Sequence, residues 1–129
     1  MNRVHALATR IFVEGLTGMA HGLFATLIIG TILAQLGGLL PGDLGTTTAL
    51  LGRVAASITG AGIGAATALR LKASTFTTVC AAVVGQIGAL AGGLLSGSVL
   101  HSDEIGTALL LRGPGEPLGA FLAAYAAIE

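Results

Sequence analysis

The sequence predicts an all-α, polytopic helical membrane protein: three transmembrane helices plus the start of a fourth, with Gly/Ala-rich packing. Three observations carry this. Of 129 residues, 53% are hydrophobic and 9% charged, with a mean hydropathy of +0.91. A soluble domain is about 25% charged, because Lys, Glu, Arg and Asp cover its surface. The charges are also clustered, leaving residues 15–42 and 73–102 without Lys, Arg, Asp or Glu. A span needs about 20 apolar residues, at about 1.5 Å each, to cross about 30 Å of hydrocarbon; both runs exceed that. The 21 glycines fit helices that approach one another closely inside a bilayer.

Other classes fail on the same figures. A membrane β-barrel alternates apolar and polar residues in segments of about ten, with aromatic girdles; this chain has continuous apolar runs and 4% aromatics. Disordered chains are poor in apolar residues. A single cysteine rules out a disulfide scaffold. Six positive and six negative charges leave no basic surface for nucleic acid.

Taken in order, Arg3 and Arg10 come before the first run and look like the start of a signal peptide. The apolar stretch from Leu23 to Leu36 is too long for one, and no clean small-residue cleavage site precedes the further spans. The first span is read as a retained helix over 15–40, followed by the turn residues Pro41, Gly42 and Asp43. The second is read over 49–69, with Arg53 snorkelling toward the interface. The third is read over 73–100. Gly113-Pro114-Gly115-Glu116-Pro117 then interrupts helix, since proline removes a backbone donor and glycine lowers propensity. A fourth span, 117–129, is incomplete. All belong to one membrane domain, 1–129, expected to be an N-terminal fragment of a longer protein and inactive alone.

Orientation follows from Lys and Arg in short loops. Arg3, Arg10, Arg70 and Lys72 fall on one side; Arg53 and Arg112 fall on the other, with Asp43, Asp103, Glu104 and Glu116. The N-terminus is therefore expected in the cytoplasm, with segments 40–48 and 101–117 outside.

Glycines recur four apart at 18/22, 60/64, 88/92 and 93/97, placing each pair on one helix face for packing. Thr26, Thr31, Thr59, Thr67 and Gln86 lie inside spans. Gln86 is the costliest in lipid and is expected to face protein or a watery cavity.

Few residues point to chemistry. Gly60-Ala61-Gly62-Ile63-Gly64-Ala65 fits the GxGxxG/A dinucleotide pattern, but no acidic residue follows about 20 positions on; Cys80 stands there. Helix packing is the better reading. Cys80 reads as a small buried apolar residue. Three His and one Cys show no metal-ligand spacing. His21 lies in the first run, two turns after Glu14, so both fit one face. It is either a neutral group bonded to a neighbouring helix or a functional intramembrane residue. Glu116 is either a solvated loop charge or the lining of a substrate site at a break in the helices, where transporters hold polar solutes. A carboxylate accepts well from sugar hydroxyls.

Three stretches are distinctive together: FVEGLTGMAHGLFATLIIGTILAQLG (12–37), TGAGIGAATALRLKASTFTTVCAAVVGQIGALAGG (59–93) and GPGEPLGAF (113–121). They resemble the N-terminal part of enzyme IIC, the membrane subunit of a bacterial sugar phosphotransferase system, in its type-2 IIC-like branch. The resemblance runs over nearly all of the chain. It implies a multi-pass carrier of the bacterial inner membrane, homodimeric in full-length form, whose partners are a sugar, the lipid bilayer and separate IIB and IIA phosphoryl carriers. The phosphoryl group would come from phosphohistidine or phosphocysteine on another chain, since no IIA or IIB segment is present. By this analogy the substrate-binding candidates are Gly113, Pro114, Gly115, Glu116 and His21. Glu116 would accept from sugar hydroxyls or orient the attacking hydroxyl, and His21 would add a hydrogen bond. No catalytic residue, metal or cofactor is expected in the chain itself.

The alternatives are a small oligomeric four-helix transporter or channel with Glu14 as coupling carboxylate, a carrier that does not phosphorylate, and a structural membrane protein. Arg70 and Lys72 read as topology determinants or as a docking place for a phosphorylated partner.

Overall fold

The computed structural model describes residues 2–111 and 113–129; Arg112, assigned above to the outer side, lies outside the described residues. A continuous rod runs from Asn2 to Leu39. It comprises α1 (Asn2–Thr9), a π-helical segment (Arg10–Gly15) and α2 (Leu16–Leu39). After it come α3 (Gly42–Ser57), α4 (Thr59–Arg70), α5 (Thr75–Ser96), the strands β1 (Leu100–Asp103) and β2 (Gly106–Leu109), and α6 (Pro117–Ile128). The rod and α5 are each long and apolar enough to cross a membrane, and the bent pair α3–α4 passes the same test as one unit. The fold is that of an all-α membrane protein with one small hairpin.

The rod stops where proline dictates. Leu40 is extended, with φ −90° and ψ 136°, the conformation favoured before a proline. Gly42 at φ +65° turns the chain directly into α3. Most of segment 40–48, expected as loop, is therefore helix, with Asp43 in the first turn, where a carboxylate complements the helix dipole.

The second span, expected as one helix over 49–69, is broken instead. α3 and α4 meet at an angle of 47° around Ile58. The flanking hydroxyls explain the break: Ser57 Oγ donates to the Val54 carbonyl at 2.8 Å and Thr59 Oγ1 to the Ala56 carbonyl at 2.7 Å. Such bonds compete with the backbone ladder and bend helices.

α4 closes with the Ala73 N–H on the Ala68 carbonyl (2.9 Å) and the Lys72 N–H on the Leu69 carbonyl (3.1 Å), a Schellman motif. This puts Lys72 at φ 58°. α5 begins at Ser74, whose Oγ accepts from the Thr77 N–H at 3.2 Å, and ends at Gly97, the left-handed cap with φ +71°. The run read to residue 100 thus stops being helical at Ser96. Gly97 faces open space and Gly93 meets Val99, so these two do not form the packing face that their spacing implied. β1 and β2 then pair antiparallel, Leu100 opposite Leu109, with every strand residue exposed. Asp103 Oδ1 closes the turn by accepting from the Ile105 and Gly106 N–H groups at 3.0 and 3.1 Å.

Absent side chains decide how the helices meet. Gly18 and Gly22 lie against Thr67 and Gly62–Ile63 of α4; Gly60 and Gly64 lie against α5; Gly88 lies against Gly119 of α6. A methyl group at Gly18 would sit 2.6 Å from the Thr67 Cα, closer than packed atoms come. Backbone therefore touches backbone, gaining dispersion contacts in place of the hydrophobic drive that lipid removes. α3 packs along the far half of α2, Gly37 against Gly45 and Ala49, Gly30 against Gly52 and Ala56. The buried core is small: Ile63, Ala68, Ala81, Ala89, Ala120, Phe121 and Ala124, with Leu71 at its edge. Large apolar side chains face outward, as with Phe76 (80% exposed) and Leu95 (91%). That is the reverse of a water-soluble protein.

Candidate functional site

The segment from Gly113 to Glu116 leaves helix and is pinned to α5. Gly115, at φ +72°, sits against the Ala89 carbonyl so closely that a Cβ would collide with it; only glycine offers both that conformation and that approach. The Glu116 N–H donates to the same Ala89 carbonyl at 2.8 Å. Pro117 then opens α6, at a position where its missing N–H costs nothing.

The Glu116 side chain lies over Gly92: a methyl group there would be 2.7 Å from Oε1. Around it is a cleft of about 430 Å³, with Glu116, Ser96 and Ser98 over a floor of Gly92, Gly93 and Gly115. Ser96 Oγ donates to Ser98 Oγ at 3.1 Å. A carboxylate accepts only, whereas each hydroxyl both donates and accepts, so the lining complements a polyhydroxylated solute. The two serines were missed from sequence. Their signal was the run GGLLSGS at the end of α5, which places hydroxyls just where the helix yields to its glycine cap.

His21 is not part of this cleft. It is exposed on α2, while its neighbour Gly22 is buried against α4. Adjacent residues on a helix stand about 100° apart, so the close packing of Gly22 turns His21 away from the α4–α5 body. Glu14, two turns earlier in the π segment, pairs with α4 instead: its Oε2 is 2.7 Å from Arg70 Nε.

A second polar place braces the elbow between α3 and α4. Gln86 of α5 donates through Nε2 to the Ser57 carbonyl at 2.8 Å and accepts through Oε1 from the Ala61 N–H at 3.0 Å. Thr26 Oγ1 donates to the Thr59 hydroxyl at 2.9 Å, tying α2 to the same elbow. Gln86 thus faces protein, and it satisfies the backbone groups that the break sets free. Gln86→Leu would leave a carbonyl and an N–H unpaired, each at about 1–3 kcal/mol. The expected result is a lower thermal unfolding temperature in detergent; an unchanged temperature would remove Gln86 from this role.

A third place gathers charge at one end of the bundle. Arg10 Nε is 2.8 Å from Glu129 Oε1, and with the Glu14–Arg70 pair it borders a cleft of about 420 Å³ that Lys72 also lines. Glu129 raises the pKa of Arg10, first by its hydrogen bond and then by its charge. Three of the four cations read on one side thus converge. Cys80 is half-buried and free.

Residues 13–129 match the family described as phosphotransferase system, EIIC. The chain belongs to that EIIC family. It is accordingly a membrane subunit of phosphotransferase-system sugar transport. The match takes in both long helices from Val13 onward, the elbow, the Glu116 cleft and α6, and leaves α1 outside. Comparison with curated proteins and with solved structures yields no match.

Proposed function

We propose that this EIIC-family chain holds a sugar in the Glu116 cleft and carries it across a bacterial inner membrane for phosphorylation by a separate IIB unit. The observation that carries the reading is the placement of Glu116. A carboxylate is fixed beside two hydroxyls at a non-helical turn, and its backbone is anchored to α5 through Ala89. Phosphoryl transfer to a sugar asks the protein mainly for positioning. Glu116 would accept from a sugar hydroxyl and orient it for attack, while Ser96 and Ser98 complete the hydrogen bonding.

In this reading the N-terminus is cytoplasmic, the working unit is a homodimer, and the cleft bordered by Arg10, Arg70 and Lys72 faces the phosphorylated partner. Glu14, the coupling carboxylate of the alternative transporter reading, is paired with Arg70 and does not line the Glu116 cleft. Uptake of radiolabelled sugar into membrane vesicles, with and without phosphoenolpyruvate and the soluble carriers, tests the reading. Uptake that depends on the phosphoryl donor supports it; absence of uptake for every sugar tried would sink it.

A further inference from the structure

A cavity of about 720 Å³, larger than the Glu116 cleft, lies between α2 and α3. Asp43, Thr46 and Arg53 line it above glycines and alanines of both helices. These three residues follow the three- and four-residue steps that hold side chains to one helix face. Arg53 stands later in its helix than its sequence position implied, and its side chain is exposed along the cavity. Its neighbour Gly52 packs against α2 at Gly30 and Ala34, where a methyl group would sit 2.8 Å from the Ala34 nitrogen. Helix α2 continues to Leu39, so at about 1.5 Å per residue Arg53 stands roughly two turns inside the helix end. An arginine at membrane depth is rare, and it turns toward a polar cavity rather than lipid.

We infer that the α2–α3 cavity is a water-filled second contact site for the transported sugar, with Asp43 and Thr46 beside the α2–α3 turn and Arg53 about two turns further along α3. This rests on the transport reading above and adds a site to it. The chemistry selects a neutral polyhydroxylated solute. Arg53 offers only donors, Asp43 only acceptors and Thr46 both, and the two charges cancel. The glycine and alanine floor lets a sugar ring lie close to backbone.

The test labels Arg53→Cys, in a Cys80→Ser background, with a membrane-impermeant thiosulfonate reagent. Leu95→Cys, on an outward apolar position, is the comparator. Glucose, galactose, mannose, fructose and mannitol are each added in turn. The expected result is faster labelling at 53 than at 95, slowed by the same sugar that the vesicles take up. Labelling no faster than at 95 means that lipid or protein covers the cavity and overturns the inference; so does labelling that no sugar slows. Either outcome, with sugar uptake still lost in Glu116→Gln, leaves the transport reading standing. Arg53→Lys guards against misfolding: it keeps the charge but not the guanidinium fork, and is expected to raise KM about tenfold with kcat kept. An unchanged KM would also overturn the inference.

Discussion

Glu116→Gln is expected to weaken sugar binding about ten- to a hundredfold while leaving the protein folded. Hydrogen bonds to a charged group contribute about 1.5–3 kcal/mol, and each 1.4 kcal/mol is about a factor of ten in affinity. The substitution keeps volume and one carbonyl acceptor but removes the charge. It also leaves alone the features that hold the turn: the Glu116 N–H on Ala89, the fit of Gly115 and the Pro117 start of α6. Equilibrium binding of radiolabelled sugar to purified protein reads the effect, and the unfolding temperature serves as its control. Unchanged affinity would take Glu116 out of the site.

Gly22→Ala is expected to lower stability clearly. A methyl group at Gly22 would meet the Gly62 carbonyl and come within 2.6 Å of the Ile63 Cα. These are backbone atoms, with no side chain to swing aside, so α2 would have to move off α4. Overpacking of this kind costs about 1–3 kcal/mol, occasionally more. Gly38→Ala is the control: it lies on the same helix with nothing within 4 Å, and alanine is the better helix former by about 1 kcal/mol. In thermal unfolding monitored by size exclusion, Gly22→Ala should melt lower than the wild type, and Gly38→Ala as high or higher. Equal melting of the two variants would refute backbone contact between α2 and α4.

The pair Gly18 and Gly22 was legible because four-residue spacing is a local property, and so was the need of Gln86 for a polar partner. The elbow at Ile58 was not. It contains neither glycine nor proline at its centre, and its freed groups are satisfied by Gln86 from another helix. Nothing near residue 58 announces a partner so distant in sequence. The exposure of His21 was not legible for a related reason. Hydropathy places a residue in a span, but which way it faces depends on which neighbour packs, and Gly22 decides that. Glu116 could be singled out as a candidate because proline and glycine mark a departure from helix. Ser96 and Ser98 were passed over because they seemed to belong to the end of an apolar run. Arg53 looked interfacial while the second span was taken to begin at 49; with α3 starting at Gly42, the same residue lies well inside a helix.

The most direct test of the account is the fate of labelled sugar in vesicles carrying the wild-type protein or Glu116→Gln, supplied with the soluble carriers, with and without phosphoenolpyruvate. The account predicts sugar phosphate inside wild-type vesicles only when phosphoenolpyruvate is present, and strongly reduced product in Glu116→Gln. Free sugar equilibrating at the same rate with or without phosphoenolpyruvate, and equally in both proteins, would contradict it.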